Sequence, residues 1–302
     1  MSKIEDALKK IGGHNTARGT GDAGETARRQ QLARAPQSLA HAAQSKQAST
    51  DMSQRASSRA EIARMEEALP ISDESMAHNK IIHPEMEDGR VLNAFRELRT
   101  KIIQKSLNSN GVIMVTGVTL GDGASFVARN LAAAFALDTS KTALLLDCNL
   151  KNPQYDGINS VGAKLGLTDY LESEDISVDK IIHRPGIDRF RMIPSGVQCE
   201  VPAEYFTSVK MGRLLVQLKQ RYPERYVILD TPPITESADT NIVADLCDHI
   251  LLVVPYGKVT EMQVEAAVKA IGQRKLVGVV FNNEPQLPKA SVWKSIWKLT
   301  SP

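Results

Sequence analysis

Between positions 81 and 285, short apolar runs alternate with longer stretches in which apolar residues recur every three or four positions. The runs are VIMVT (112–116), TALLLD (142–147), FRMIP (190–194), YVILD (226–230), ILLVVP (250–255) and LVGVVF (276–281). Several are apolar throughout, as strands buried on both faces are. The periodic stretches predict helices over 125–137, 204–220, 239–246 and 260–272. A further helix over roughly 88–107 is predicted by Val91, Leu92, Phe95, Leu98, Ile102 and Ile103. This repeated alternation predicts an α/β fold, a doubly wound and mostly parallel sheet flanked by helices. In such sheets ligands bind beyond the carboxyl ends of the strands.

The first 80 residues read differently. Ser2 and Glu5 fit a capping box, and Ile4, Ala7, Leu8 and Ile11 share one helical stripe. Residues 12–80 are rich in Gly, Ala, Ser, Gln, Arg and Thr and hold no Trp, Tyr or Phe. Such a segment buries too little apolar surface to offset its ordering entropy, so a flexible arm is expected, with transient helix around Arg59–Leu69. The expected organisation is a short helix and arm over 1–80, an α/β domain over 81–286, and a basic, Trp-bearing tail over 287–302.

The 302 residues are 42% hydrophobic, with a formal net charge of +2. So small a charge gives no case for nucleic-acid binding. Cys148, Cys199 and Cys247 are odd in number and form no CxxC pair, which argues against disulfides and zinc. No apolar run reaches the roughly 18 residues needed to span a bilayer, and MSKIEDALKK lacks a signal-peptide core. A cytoplasmic location is expected.

Candidate chemistry gathers at three strand ends. VIMVT runs into Gly117-Val-Thr-Leu-Gly121-Asp122-Gly123-Ala124-Ser125 and then a helix. Glycines allow backbone N–H groups to turn around phosphate oxygens, and the helix N-terminus favours an anion. Gly121, Asp122, Gly123, Ala124, Ser125 and Phe126 are therefore candidate nucleotide-binding residues, with Ser125 placed to offer a hydroxyl to Mg²⁺. TALLLD ends at Asp147 and YVILD at Asp230. Carboxylates there can hold Mg²⁺ or orient an attacking group, so both are catalytic and metal-binding candidates.

Taken together, these residues resemble bacterial tyrosine kinases, the P-loop proteins paired with polysaccharide chain-length and export proteins in capsule and exopolysaccharide synthesis. The resemblance covers about residues 81–285. AFRELRT (94–100) is similar to the family's helix upstream of the loop, LLLDCNLKNP to its Asp-x-Asp-x-Arg motif, and YVILDTPP to its Walker B motif. ADTNIVADLCDHILLVVPYGKVT and GVVFNN also follow the family's course, placing Asn282 among the candidate nucleotide contacts. The resemblance implies ATP or ADP with Mg²⁺ as cofactors, an inner-membrane polysaccharide co-polymerase as partner, and a homo-oligomer packed through Asn93, Arg96 and Arg99.

The departures fall in the chemistry. The loop lysine is Ala124, the second aspartate of Asp-x-Asp is Asn149, and the following Arg is Lys151. The family's Glu-x-x-Arg-x-x-Arg helix begins here at Asn93. Its C-terminal tyrosine cluster is missing, and the last 40 residues hold no tyrosine. The leading expectation is a catalytically impaired relative acting as a partner or regulator. One alternative is an active autokinase with a surrogate cation, Lys151 being a candidate, and Tyr155 or Tyr170 as acceptor. Another is a MinD- or ParA-like positioning ATPase, which generally needs two loop lysines absent here. In the tail, Trp293, Ile296 and Trp297 form a helical stripe among Lys289, Lys294 and Lys298. That stripe suits a partner or an anionic inner-membrane surface, or packs back on the chain's own sheet.

Overall fold

The computed structural model describes residues 70–86, 88–106, 110–153, 165–222 and 224–285. The expected N-terminal helix, the arm to residue 69, Tyr155 and the tail from Gln286 lie outside the described residues. In chain order the elements are α1 (Asp73–His78), α2 (Gly89–Lys105), β1 (Val112–Gly117), α3 (Ala124–Ala136), β2 (Thr142–Asp147), α4 (Leu167–Glu172), α5 (Val178–Ile181), β3 (Phe190–Ile193), α6 (Pro202–Phe206), α7 (Val209–Arg221), β4 (Arg225–Asp230), α8 (Ala238–Leu246), β5 (His249–Pro255), α9 (Glu261–Ile271) and β6 (Leu276–Asn282).

The strands form one six-stranded sheet in the order β3-β2-β4-β1-β5-β6, every pairing parallel. Side chains alternate between its faces, and both faces are buried. Val112, Met114, Leu144, Leu146, Val227 and Leu229 pack beneath α7, α8 and α9. Ile113, Val115, Leu145, Ile228, Leu251 and Val253 pack beneath α2 and α3. α3 is buried nearly all round, its Leu131–Ala136 run lying on the sheet and Phe135 stacking on Tyr226 with ring centroids 4.1 Å apart. Among the described residues, no helix is long and apolar enough to cross a membrane.

One boundary differs from the periodicity reading and one from the composition reading. The helix expected over 204–220 is two helices, because Ser208 adopts extended backbone and caps α7, its Oγ accepting from Met211 N at 3.1 Å. Residues 70–80, grouped with the arm by composition, form α1 and a turn that leads into the core. The tie there is the fully buried Asn130 of α3. Its Oδ1 accepts from Ile82 N at 2.7 Å, and its Nδ2 donates to Lys80 O at 2.9 Å. Asn130→Ala leaves that N–H without its partner and is expected to cost about 1–3 kcal/mol. The check is a lower urea midpoint at unchanged slope; an unaltered midpoint would mean that the segment is held by other contacts.

Candidate functional site

The loop between β1 and α3 is shaped by two glycines in left-handed backbone, Gly121 at φ 75° and Gly123 at φ 90°. Space also matters at Gly123, where a Cβ would lie 2.0 Å from Asn282 Nδ2. That amide donates to Asp122 O at 2.8 Å, tying the end of β6 to the loop. The segment after β4 laces the other side. Ile234 N donates to Gly117 O at 3.1 Å, Thr235 Oγ1 to Val118 O at 2.5 Å, and Thr116 Oγ1 to Pro232 O at 2.8 Å.

Three of the loop's N–H groups, those of Thr119, Leu120 and Ala124, meet the chain's own carboxylates. Asp122 Oδ1 accepts from Ala124 N at 2.8 Å, and its Oδ2 lies 3.4 Å from Thr119 N. Glu236 Oε1 accepts from Leu120 N at 3.3 Å. Asp122 is only 3% exposed and rests on Gly117, where a Cβ would meet its Oδ2 at 1.2 Å. Only glycine fits beneath that carboxylate. Burial pushes the Asp122 carboxyl up from 3.8 to about 6 against the pull of its N–H donors, and the Glu236 charge adds to the rise.

Asp147 and Asp230 are register partners on adjacent strands, both buried at the carboxyl edge of the sheet. Asp147 Oδ1 accepts from Asn149 N at 2.9 Å, and Asn149 Oδ1 lies 3.3 Å from Asn152 N. Asn149 thus shapes the turn after β2. Lys151, the candidate stand-in for the loop lysine, places its Nζ 3.3 Å from Asp239 Oδ2 on α8. Its charge is answered there. The donor set of Ser125, Asp147 and Asp230 is hard oxygen and suits Mg²⁺, which takes one or two carboxylates and keeps several waters. Bound Mg²⁺ would supply charge neutralisation for phosphate oxygens. A phosphate approaching the N–H groups of Thr119, Leu120 and Ala124 would compete with two carboxylates, without a lysine's help.

The remaining candidates lie on or near α2. Phe126 is half-buried and meets Phe95 edge-on at 5.8 Å between centroids. Asn93 and Arg96 are exposed. Arg99 is turned inward, its Nη1 donating to Ala134 O at 2.8 Å near the carboxyl end of α3. Glu236 and Thr235 escaped the sequence reading because they lie in a turn without periodicity. Their one signal was proximity to the aspartate of YVILDTPP.

No family model matches the chain. The chain is similar to tyrosine-protein kinase CpsD of Streptococcus agalactiae serotype III, 31% identical over 191 residues that make up 62% of this chain and 80% of that protein. The chain belongs to the bacterial tyrosine-protein kinase family. Tyrosine-protein kinase YwqD of Bacillus subtilis is 30% identical over 207 residues, 66% of this chain and 84% of its own. The kinase domain of Escherichia coli tyrosine kinase ETK shares the fold, with a TM-score of 0.59 at 24% identity over 73% of this chain and 92% of that one. In this member of the family the loop Gly117–Ser125 carries Ala124 and no lysine.

Proposed function

We propose that this member of the tyrosine-kinase family is catalytically impaired and works as a cytoplasmic partner protein, regulating a membrane polysaccharide co-polymerase in capsule or exopolysaccharide assembly. One observation carries the reading. The loop has no lysine, and the N–H groups of Leu120 and Ala124 rest on Glu236 and Asp122. Asn149 supports it: a carboxamide cannot serve as a base near neutral pH, and its oxygen lies within reach of a backbone N–H. The family resemblance supplies the pathway, and the loop argues for a role that does not depend on turnover.

The test is calorimetric titration of the full chain with Mg-ATP and Mg-ADP, with phosphotyrosine detection on the same samples. The expected result is a Kd weaker than about 1 mM, equivalent to less than about 4 kcal/mol of binding, and no phosphotyrosine on any tyrosine, Tyr170 included. Turnover with phosphotyrosine would overturn the reading in favour of an active autokinase.

A further inference from the structure

The two edges of the sheet are finished differently. Beside β3, His183 and Met192 form an antiparallel bridge, with His183 N to Met192 O at 2.7 Å and Met192 N to His183 O at 2.9 Å, and all four residues of β3 are buried. β6 has no such cover among the described residues. Val279 and Val280 are half-buried, and Phe281 is 38% exposed. An apolar edge strand left open invites pairing with other chains. Alongside it runs a groove of about 700 Å³, walled by Phe95, Leu98 and Ile102 of α2 and floored by Val277 and Val280, which pack on the α2 side of the sheet.

We propose that this groove seats the chain's own C-terminal segment, with Trp293, Ile296 and Trp297 packed between α2 and β6. Asn282 and Asn283, where the described chain leaves β6, line the groove. Trp293 follows ten residues after Asn283, so the connecting chain spans up to about 33 Å when extended. The seven-residue β6 is about 23 Å long, so every part of the groove is within reach. Pro285 and Pro288 disfavour continued regular structure between the two. Beyond them Val292, Trp293, Ile296 and Trp297 share one helical face, matching the apolar walls. A tether this short holds the segment at an effective concentration in the millimolar range. Glu97 on the rim is already paired with Lys101 at 2.7 Å, so the contact is apolar rather than ionic.

The chain's only two tryptophans lie in this segment, so intrinsic fluorescence reads it directly. In dilute full-length protein, emission blue-shifted from free tryptophan and shielded from iodide is expected, unchanged by dilution or by high salt. Leu98→Lys and Val280→Lys, each checked by circular dichroism for an intact fold, are expected to abolish that shielding. As a second readout, Trp293→Ala/Trp297→Ala is expected to speed amide exchange over residues 276–282. Tryptophans freely quenched in the wild type would overturn the proposal, as would shielding that survives both groove variants. Shielding that appears only at high protein concentration would assign the segment to a second copy. Shielding that appears only with anionic vesicles, and is lost in salt, would assign it to a membrane. Either result would overturn the proposal.

Discussion

Ala124→Lys is expected to tighten Mg-ATP binding by about 30-fold or more. A unit charge pair at about 4 Å is worth roughly 4 kcal/mol at an effective dielectric near 20. All of it would correspond to about 1,000-fold in affinity, and half to about 30-fold. The lower figure is the better expectation here, because phosphate must still displace Asp122 from Ala124 N and Glu236 from Leu120 N. Ala124 is buried as the first residue of α3, so the new side chain has to run out along the loop to reach water. Long aliphatic stems allow this. Calorimetry on the two proteins side by side reads the effect. Identical weak binding would mean that the loop is not a phosphate cradle at all. Phosphotyrosine is expected to stay absent in the variant, because restored binding supplies neither a base at Asn149 nor a tyrosine among the last 40 residues. The variant is expected to separate binding from transfer.

Much of the architecture was legible because the strands are doubly buried. VIMVT and YVILD are apolar up to their last residue, and each becomes a strand with every residue buried. Their ends were legible too, since a glycine turn and an aspartate are chemically unlike the runs before them. The boundary at Ser208 was not, because a serine between two apolar-periodic stretches breaks no period; it matters only through its extended backbone and the N–H it accepts. Asn130 was missed for a similar reason. A polar residue on a helix ordinarily faces water, whereas this one is wholly buried and satisfied by Ile82 N, Lys80 O and Phe126 O. The partner of Lys151 was beyond reach, because Asp239 lies 88 positions away and meets it only through the packing of the turn after β2 against α8. Periodicity reports burial, and composition reports disorder. Neither reports which N–H group a carboxylate will find, as Asp122 finds Ala124 N and Glu236 finds Leu120 N in this loop.

Asp122→Asn is expected to remove a pH dependence that the wild type carries in its loop. The folded protein holds the Asp122 proton up to about pH 6, whereas an unburied carboxyl loses it near 3.8. Between those values the native state binds more protons than the unfolded state, so this group's contribution to stability falls as pH rises through that window. A rise from 3.8 to about 6 corresponds to about 3 kcal/mol lost by pH 7. Asparagine keeps an oxygen for Ala124 N but turns an NH₂ toward the Thr119 N–H, which costs about 1 kcal/mol. The variant should therefore be less stable than the wild type near pH 4 and more stable, by about 1–2 kcal/mol, near pH 7. Urea midpoints at the two pH values check this, and parallel profiles for the two proteins would show that the buried carboxylate does not control loop stability. The same substitution removes a negative charge from beside the N–H that a phosphate would need. A carboxylate that destabilises its own fold at neutral pH yet occupies the N–H groups of Ala124 and Thr119 serves the shape of the loop better than it serves stability. On the function proposed above, such a trade costs the chain nothing, because turnover is not asked of the loop.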